Sequence, residues 1–144
     1  MKAVIQCVSN AKVKVNGKEI GKIGKGFLIL LGISQNDSEE KVGYLVNKIF
    51  NLRVFTDKKA KMNLSLAAVK GEVLVVSQFT LYANCQKGNR PSFTKAAQPN
   101  KAKMLYNLFV EKMSKLVSTK SGVFGAKMEI SLVNDGPVTL ILEN

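Results

Sequence analysis

The sequence predicts an α/β fold with mixed, largely antiparallel sheets and two main helices, in one domain over residues 1–144. Three observations predict it. Alternating runs separated by glycine turns open and close the chain. Two runs apolar on both faces stand in its middle. Two further segments repeat apolar residues at helical spacing. A domain of this length buries about two thirds of its unfolded surface, so its core needs no disulfide or metal staple.

Lys2 to Val8 alternates and reads as a first strand, which Ala11 to Val15 continues. Asn16-Gly17 is a strong two-residue hairpin signal because both residues tolerate positive φ. Glu19 to Ile23 returns, and Gly24-Lys25-Gly26 turns again. Phe27 to Ile33 is apolar on both faces and reads as a central strand. Asn36-Asp37-Ser38 opens a helix, with Asp37 or Ser38 as its cap and Glu39 and Glu40 in the first turn. Val42, Leu45, Val46, Ile49 and Leu52 form its core stripe.

Arg53 to Phe55 reads as a short strand, and Thr56 to Leu66 as a polar, lysine-rich connection. Glu72 to Leu81 is the second long apolar strand. Asn84 to Asn100 is a loop rich in Gly, Asn, Lys and Pro, and a loop so long inside a compact domain is usually functional or disordered. The second helix starts near Pro99, where proline suits the first turn. Ala102, Leu105, Phe109, Met113 and Leu116 form its stripe. Lys127 to Val133 and Val138 to Leu142 are strands flanking a turn at Asn134 to Pro137. About seven strands result. Two helices cover one sheet face, and the other needs a further sheet or a partner chain.

The chain holds 22 Lys and Arg against 10 Asp and Glu, a net charge of +12. Such a field attracts polyanions in a salt-dependent way. Only Arg53 and Arg90 are arginines, so the excess also fits a lysine-biased composition, and charge alone leaves both readings open. There is no histidine. That excludes Ser-His-Asp and Cys-His pairs and histidine-ligated zinc. Catalysis near neutral pH must then use lysines, carboxylates, hydroxyls, thiols, backbone groups or the substrate itself. Cys7 and Cys85 lack metal-ligand spacing and read as two free thiols in a reducing compartment, with a Cys7–Cys85 disulfide as the alternative. No metal or cofactor is expected. Residues 1–8 show no charged-then-apolar leader, and Phe27 to Ile33 is too short to span a bilayer, so a cytoplasmic protein without membrane association is expected.

Two segments could carry chemistry. Ser77-Gln78-Phe79-Thr80-Leu81 ends the most apolar strand, and a buried strand that turns polar at its carboxyl end often opens into a site. The plain alternative is a strand end whose hydroxyls bond to the backbone. Asn134-Asp135-Gly136-Pro137-Val138-Thr139 reads from spacing as a hairpin turn.

Together these segments resemble the two signature motifs of the D-aminoacyl-tRNA deacylase family. Gly24 to Gly32, Lys61-Met-Asn-Leu64 and Arg90-Pro-Ser-Phe93 agree in order and spacing. The resemblance covers the whole chain. It implies a homodimer with a site at each end of the interface, acting on the 3′-terminal aminoacyl-adenosine of tRNA. Ser77 and Gln78 would line one wall, and the backbone N–H groups of Phe79 and Thr80 would hold the oxyanion. Gly136 and Pro137, joined by a cis bond, would enter from the other protomer. Phe124 and Met128 would pack around the terminal adenosine. The resemblance further implies that the neighbouring 2′-hydroxyl of the ribose replaces a protein base. It implies too that the partner's carbonyls exclude L side chains while glycine passes.

One position departs from the family pattern. An arginine usually follows the glutamine of the first strand, where this chain has Gln6-Cys7-Val8. That arginine is expected to brace the Gly-Pro loop, so either another cation substitutes or the loop is held differently. A related family acting on L-alanyl-tRNA alters both motifs, whereas Ser77, Phe79 and Val138 are kept here. Two rival readings stand beside this one. In the first, Ser77 or Thr80 is a nucleophile with a lysine base. In the second, the chain is a non-catalytic basic tRNA-binding domain.

Overall fold

The computed structural model describes residues 1–144. Strand β1 (Lys2–Val15) pairs with β2 (Lys18–Ile23) through its second half and with β3 (Gly26–Gly32) through its first, both antiparallel. The β1–β2 turn has positive φ at Asn16 (49°) and Gly17 (77°), the backbone its sequence demands. Helix α1 (Glu39–Asn51) leads to the two-stranded ribbon β4 (Phe55–Thr56) and β5 (Met62–Leu64). The lysine-rich connection therefore contains a strand, and the preceding strand starts at Phe55 rather than Arg53.

Strand β6 (Glu72–Ser77) runs parallel to β3, and a single 3-10 turn follows at Phe79–Tyr82. Helix α2 (Pro99–Ser114), β7 (Thr119–Ser121) and β8 (Met128–Glu143) complete the chain. The main sheet runs β2-β1-β3-β6-β7, with β7 parallel to β6 and β8 antiparallel along β1. The parallel pair requires glycine at one point. A Cβ on Gly26 would lie 1.8 Å from the Glu72 carbonyl oxygen, so no other residue fits that register.

Alternate residues of β3 and β6 serve two separate cores, which explains why both strands are apolar throughout. Phe27, Ile29 and Leu31 join Val73 and Val75 beneath α1 and α2. Leu28, Leu74 and Val76 face Val8, Ala11, Val13 and Ile23, because β1, β2 and β8 curl over the far side in a near-barrel. The second face is thus covered by the same sheet.

Ser38 caps α1, its hydroxyl accepting from the Lys41 N–H. Asp37 has another task. Its buried carboxylate accepts from the Met1 ammonium at 2.7 Å and the Ser34 N–H at 2.7 Å. Burial pushes this carboxyl up, but those hydrogen bonds and the ammonium charge outweigh it and hold it below its ordinary value. In α2 the stripe ends at Met113. Leu116 lies beyond the helix and is exposed.

The segment around Gly136-Pro137 does not reverse the chain. Residues before and after it belong to one strand, and both halves pair with β1 in the same direction. Between the pairs Val8–Asn134 and Gln6–Thr139, β1 advances by two residues while β8 advances by five. The surplus is thrown out as a bulge, with Gly136 and Pro137 exposed and their bond cis. A hairpin and a bulge share the same turn-forming residues, so local sequence could not separate them. No helix is long and apolar enough to cross a membrane.

Candidate active site

The parallel strands β3 and β6 end side by side, and a groove of about 570 Å³ opens at their carboxyl ends. Its floor is Leu31, Ile33 and Val76. Ser77, Gln78 and Phe79 form one wall, and Phe124 and Met128 form the opposite one. Five residues singled out in the sequence therefore meet in one cleft of a size suited to a small molecule or a nucleoside.

The strand predicted to reach Leu81 stops at Ser77, and that break matters chemically. The Gln78 N–H still bonds to the Leu31 carbonyl at 2.8 Å, and the Leu81 N–H bonds to the Gln78 carbonyl at 3.3 Å. The Phe79 and Thr80 N–H groups fall between them, past the ladder and ahead of the first turn bond, and are left to meet an external acceptor. Had the strand continued, its ladder would have consumed such donors. The Gln78 amide donates to the Thr80 hydroxyl and fixes both side chains.

The long loop is tied down rather than loose. Asn84 and Ser92 exchange backbone hydrogen bonds of 2.8 and 3.0 Å, and the Ala97 N–H bonds to the Ile33 carbonyl at 2.9 Å. These ties bring Phe93, Ala97, Gln98 and Pro99 to the groove. Phe93 meets Phe79 edge-on, with ring centroids 5.1 Å apart, so neither exposed ring stands alone. Sequence reasoning missed this wall. The signal available was an aromatic residue in a Gly/Pro-rich loop. On the other side Phe124 leans on Tyr106 at 5.8 Å, and Gly125, with φ of 78°, turns the chain toward Met128.

No side chain lining the groove is ionisable. Ser77 lines the groove with no lysine beside it there, and Thr80 lies outside the lining. No group of three His, Cys, Asp or Glu side chains is placed to hold a metal. What the groove offers is hydroxyls, amides, backbone donors and aromatic faces, a set suited to positioning a ligand and stabilising an anion.

Gly136 and Pro137 do not line the groove of their own chain. Their bulge is held by Gln6, whose amide nitrogen lies 3.5 Å from both Asn134 Oδ1 and Thr139 Oγ1, bridging the two ends. Cys7 is buried at the base. Burial, reinforced by the Asp135 carboxylate, pushes its thiol up to about 11. Cys7 and Cys85 are both free.

Such a groove in such a curled sheet defines a known type of small α/β chain. A solved structure named "c-Myc DNA Unwinding Element Binding Protein" superposes with a TM-score of 0.94 at 44% identity, covering 100% of this chain and 99% of that one. A second, described as "a probable eukaryotic D-amino acid tRNA deacylase", shares the fold with a TM-score of 0.83 at 18% identity, covering 98% and 97%. The family model for D-Tyr-tRNA(Tyr) deacylase matches residues 4–143, and the chain belongs to that family. The D-aminoacyl-tRNA deacylase of Thermosipho melanesiensis is 58% identical over 100% of this chain and 97% of its own length. That of Desulfatibacillum aliphaticivorans is 56% identical over 100% and 99%.

Proposed function

We propose that the protein hydrolyses the ester bond of D-aminoacyl-tRNA, releasing the free amino acid and tRNA. The observation that carries the reading is a groove without ionisable side chains, bordered by the break in β6 where the Phe79 and Thr80 N–H groups lie outside the ladder. An aminoacyl ester is already activated. Its tetrahedral intermediate needs an oxyanion partner, which the Phe79 and Thr80 N–H groups can supply. The 2′-hydroxyl of the terminal ribose supplies the general base function that the groove lacks. Ser77 and Gln78 orient the aminoacyl end, while Phe124 and Met128 pack around the adenosine.

Selectivity in this reading comes from a second copy of the chain. The exposed Gly136-Pro137 bulge, outside its own groove, enters the partner's and packs against the substrate Cα. That contact leaves no room for an L side chain, and glycine passes. A two-fold homodimer completes both sites together. The family membership and the exposure of the bulge support this arrangement. A non-catalytic tRNA-binding domain has the charge in its favour but gives no role to the uncommitted donors.

The test is hydrolysis of matched D-, L- and glycyl-tRNA by the purified protein. Turnover of the D and glycyl esters with negligible action on the L ester is expected. Equal rates on D and L esters of one amino acid would sink the chiral filter, and binding without turnover would favour the rival domain.

A further inference from the structure

Behind Phe124 lies a second depression of about 390 Å³, between α2 and the segment Ser121–Phe124. It shares Phe124 with the main groove, so the two hollows adjoin at that residue. We propose that this depression holds the nucleotide preceding the terminal adenosine, making the site a two-nucleotide reader of the tRNA 3′ end. The proposal rests on the deacylase reading and deepens it.

Direction comes first. With the ester at Phe79 and Thr80 and the adenosine at Phe124 and Met128, we take the strand's 5′ side from the ribose across Phe124 into the neighbouring hollow. The depression is the next hollow on that path. Its wall is preformed. The Tyr106 hydroxyl donates to the Val75 carbonyl at 2.9 Å, which locks the ring that supports Phe124. Burial pushes the Tyr106 hydroxyl up to about 12, so it remains a neutral donor. The hollow is thus backed by a fixed Tyr106 and flanked by Phe124 and Val110, an apolar edge for a second base.

Polar chemistry comes second. Lys103 and Asn107, one turn apart on α2, are exposed along the rim. The ammonium suits the phosphate between the two nucleotides, and the amide can both donate to and accept from a base edge. The first turn of α2 carries no acidic residue. The one carboxylate on the rim, Glu111, is paired with Lys115 at 2.6 Å. That pairing holds its carboxyl below the ordinary value and blunts its repulsion of a phosphate.

The experiment compares three D-aminoacyl substrates: adenosine, the cytidyl-adenosine dinucleotide and full tRNA. The dinucleotide should have a KM about tenfold below that of the adenosine ester. Lys103→Ala and Asn107→Ala should each erase most of that advantage while leaving kcat/KM on the adenosine ester within about twofold. Asn107→Asp, which sets a carboxylate beside the phosphate, should raise the dinucleotide KM further. Equal KM for adenosine and dinucleotide esters, or variants that weaken both alike, would overturn the proposal. Titration of cytidyl-adenosine without an aminoacyl group against adenosine monophosphate reads the depression without turnover. A parent protein that favours the dinucleotide but hydrolyses none of the esters would refute the deacylase reading and leave the depression standing. No preference in that titration refutes the depression itself.

Discussion

Gly136→Ala separates a contact with a partner from a contact within the chain. In the isolated fold an added Cβ at Gly136 would meet only the Asn134 amide nitrogen, at 3.7 Å, an ordinary van der Waals distance. The residue is exposed, so stability should change by no more than about 0.5 kcal/mol and Tm by less than about 2 °C. In the shared site the same methyl points into a pocket already filled by the substrate Cα. Displacing a reacting centre by about 1 Å costs about 100-fold, or roughly 2.7 kcal/mol of barrier. Single-turnover deacylation of D-aminoacyl-tRNA, beside a melting curve, checks both numbers. A variant that melts normally and retains at least half the parent rate refutes the placement of Gly136 at the reacting carbon. Mixing this variant with Phe79→Pro, which deletes one of the uncommitted N–H groups, extends the test. A heterodimer then carries both lesions in one site and none in the other, and should recover up to half the parent activity. Heterodimers shown to form yet inactive would refute the shared site.

Three further outcomes are expected. Asp37→Asn leaves the Met1 ammonium buried without its anion and should cost about 3–5 kcal/mol in urea unfolding at pH 7. The folded-state pKa of Asp37 is depressed. Its stabilisation is therefore present above the unfolded value of about 3.9 and fades as pH falls through the folded value, so parent and variant should converge in strong acid. The lysine excess should lower tRNA affinity at least about tenfold between roughly 50 and 200 mM salt, with the ratio of D to L hydrolysis nearly constant, because phosphate contacts do not read chirality; flat affinity would reduce the charge to composition. Deacylation should survive exhaustive EDTA treatment; activity lost and then restored by one added metal would contradict a site built from backbone donors.

Both helices, both double-faced strands and the first hairpin were legible because each rests on local chemistry: periodicity, a cap, an Asn-Gly turn. The misreadings share another cause. Ser77 to Leu81 looks like strand because its residues favour strand, yet the neighbour that would pair with it, β3, has ended at Gly32. Asn134 to Pro137 looks like a hairpin because a reversal and a bulge need the same residues, and only the shared partner β1 decides between them. Of the two caps the sequence offered for α1, Ser38 takes the role, and the Asp37 carboxylate is spent on an ammonium distant in sequence. Of the residues singled out, Ser77 to Phe79, Phe124 and Met128 line one groove, while Thr80, Gly136 and Pro137 lie outside its lining. Phe93 and the second depression depend on how a loop and a helix dock, which no single segment encodes.

The pairing of β1 with β8 has a consequence for how the protein is made. Strand β1, made early, lies against β8, made late, from Lys2 with Glu143 to Val15 with Met128. During synthesis β1 can recruit β2 and β3, but its other edge stays bare until residues beyond Met128 clear the exit tunnel. An uncovered edge of this length is a template for pairing with other chains. Leu28, Leu74 and Val76 would also lack Met128, Ile130 and Leu132, which pack against their core. Nascent chains stalled before Met128 should therefore be the species that chaperones bind and that aggregates capture, whereas release of the last strand closes the sheet in one step.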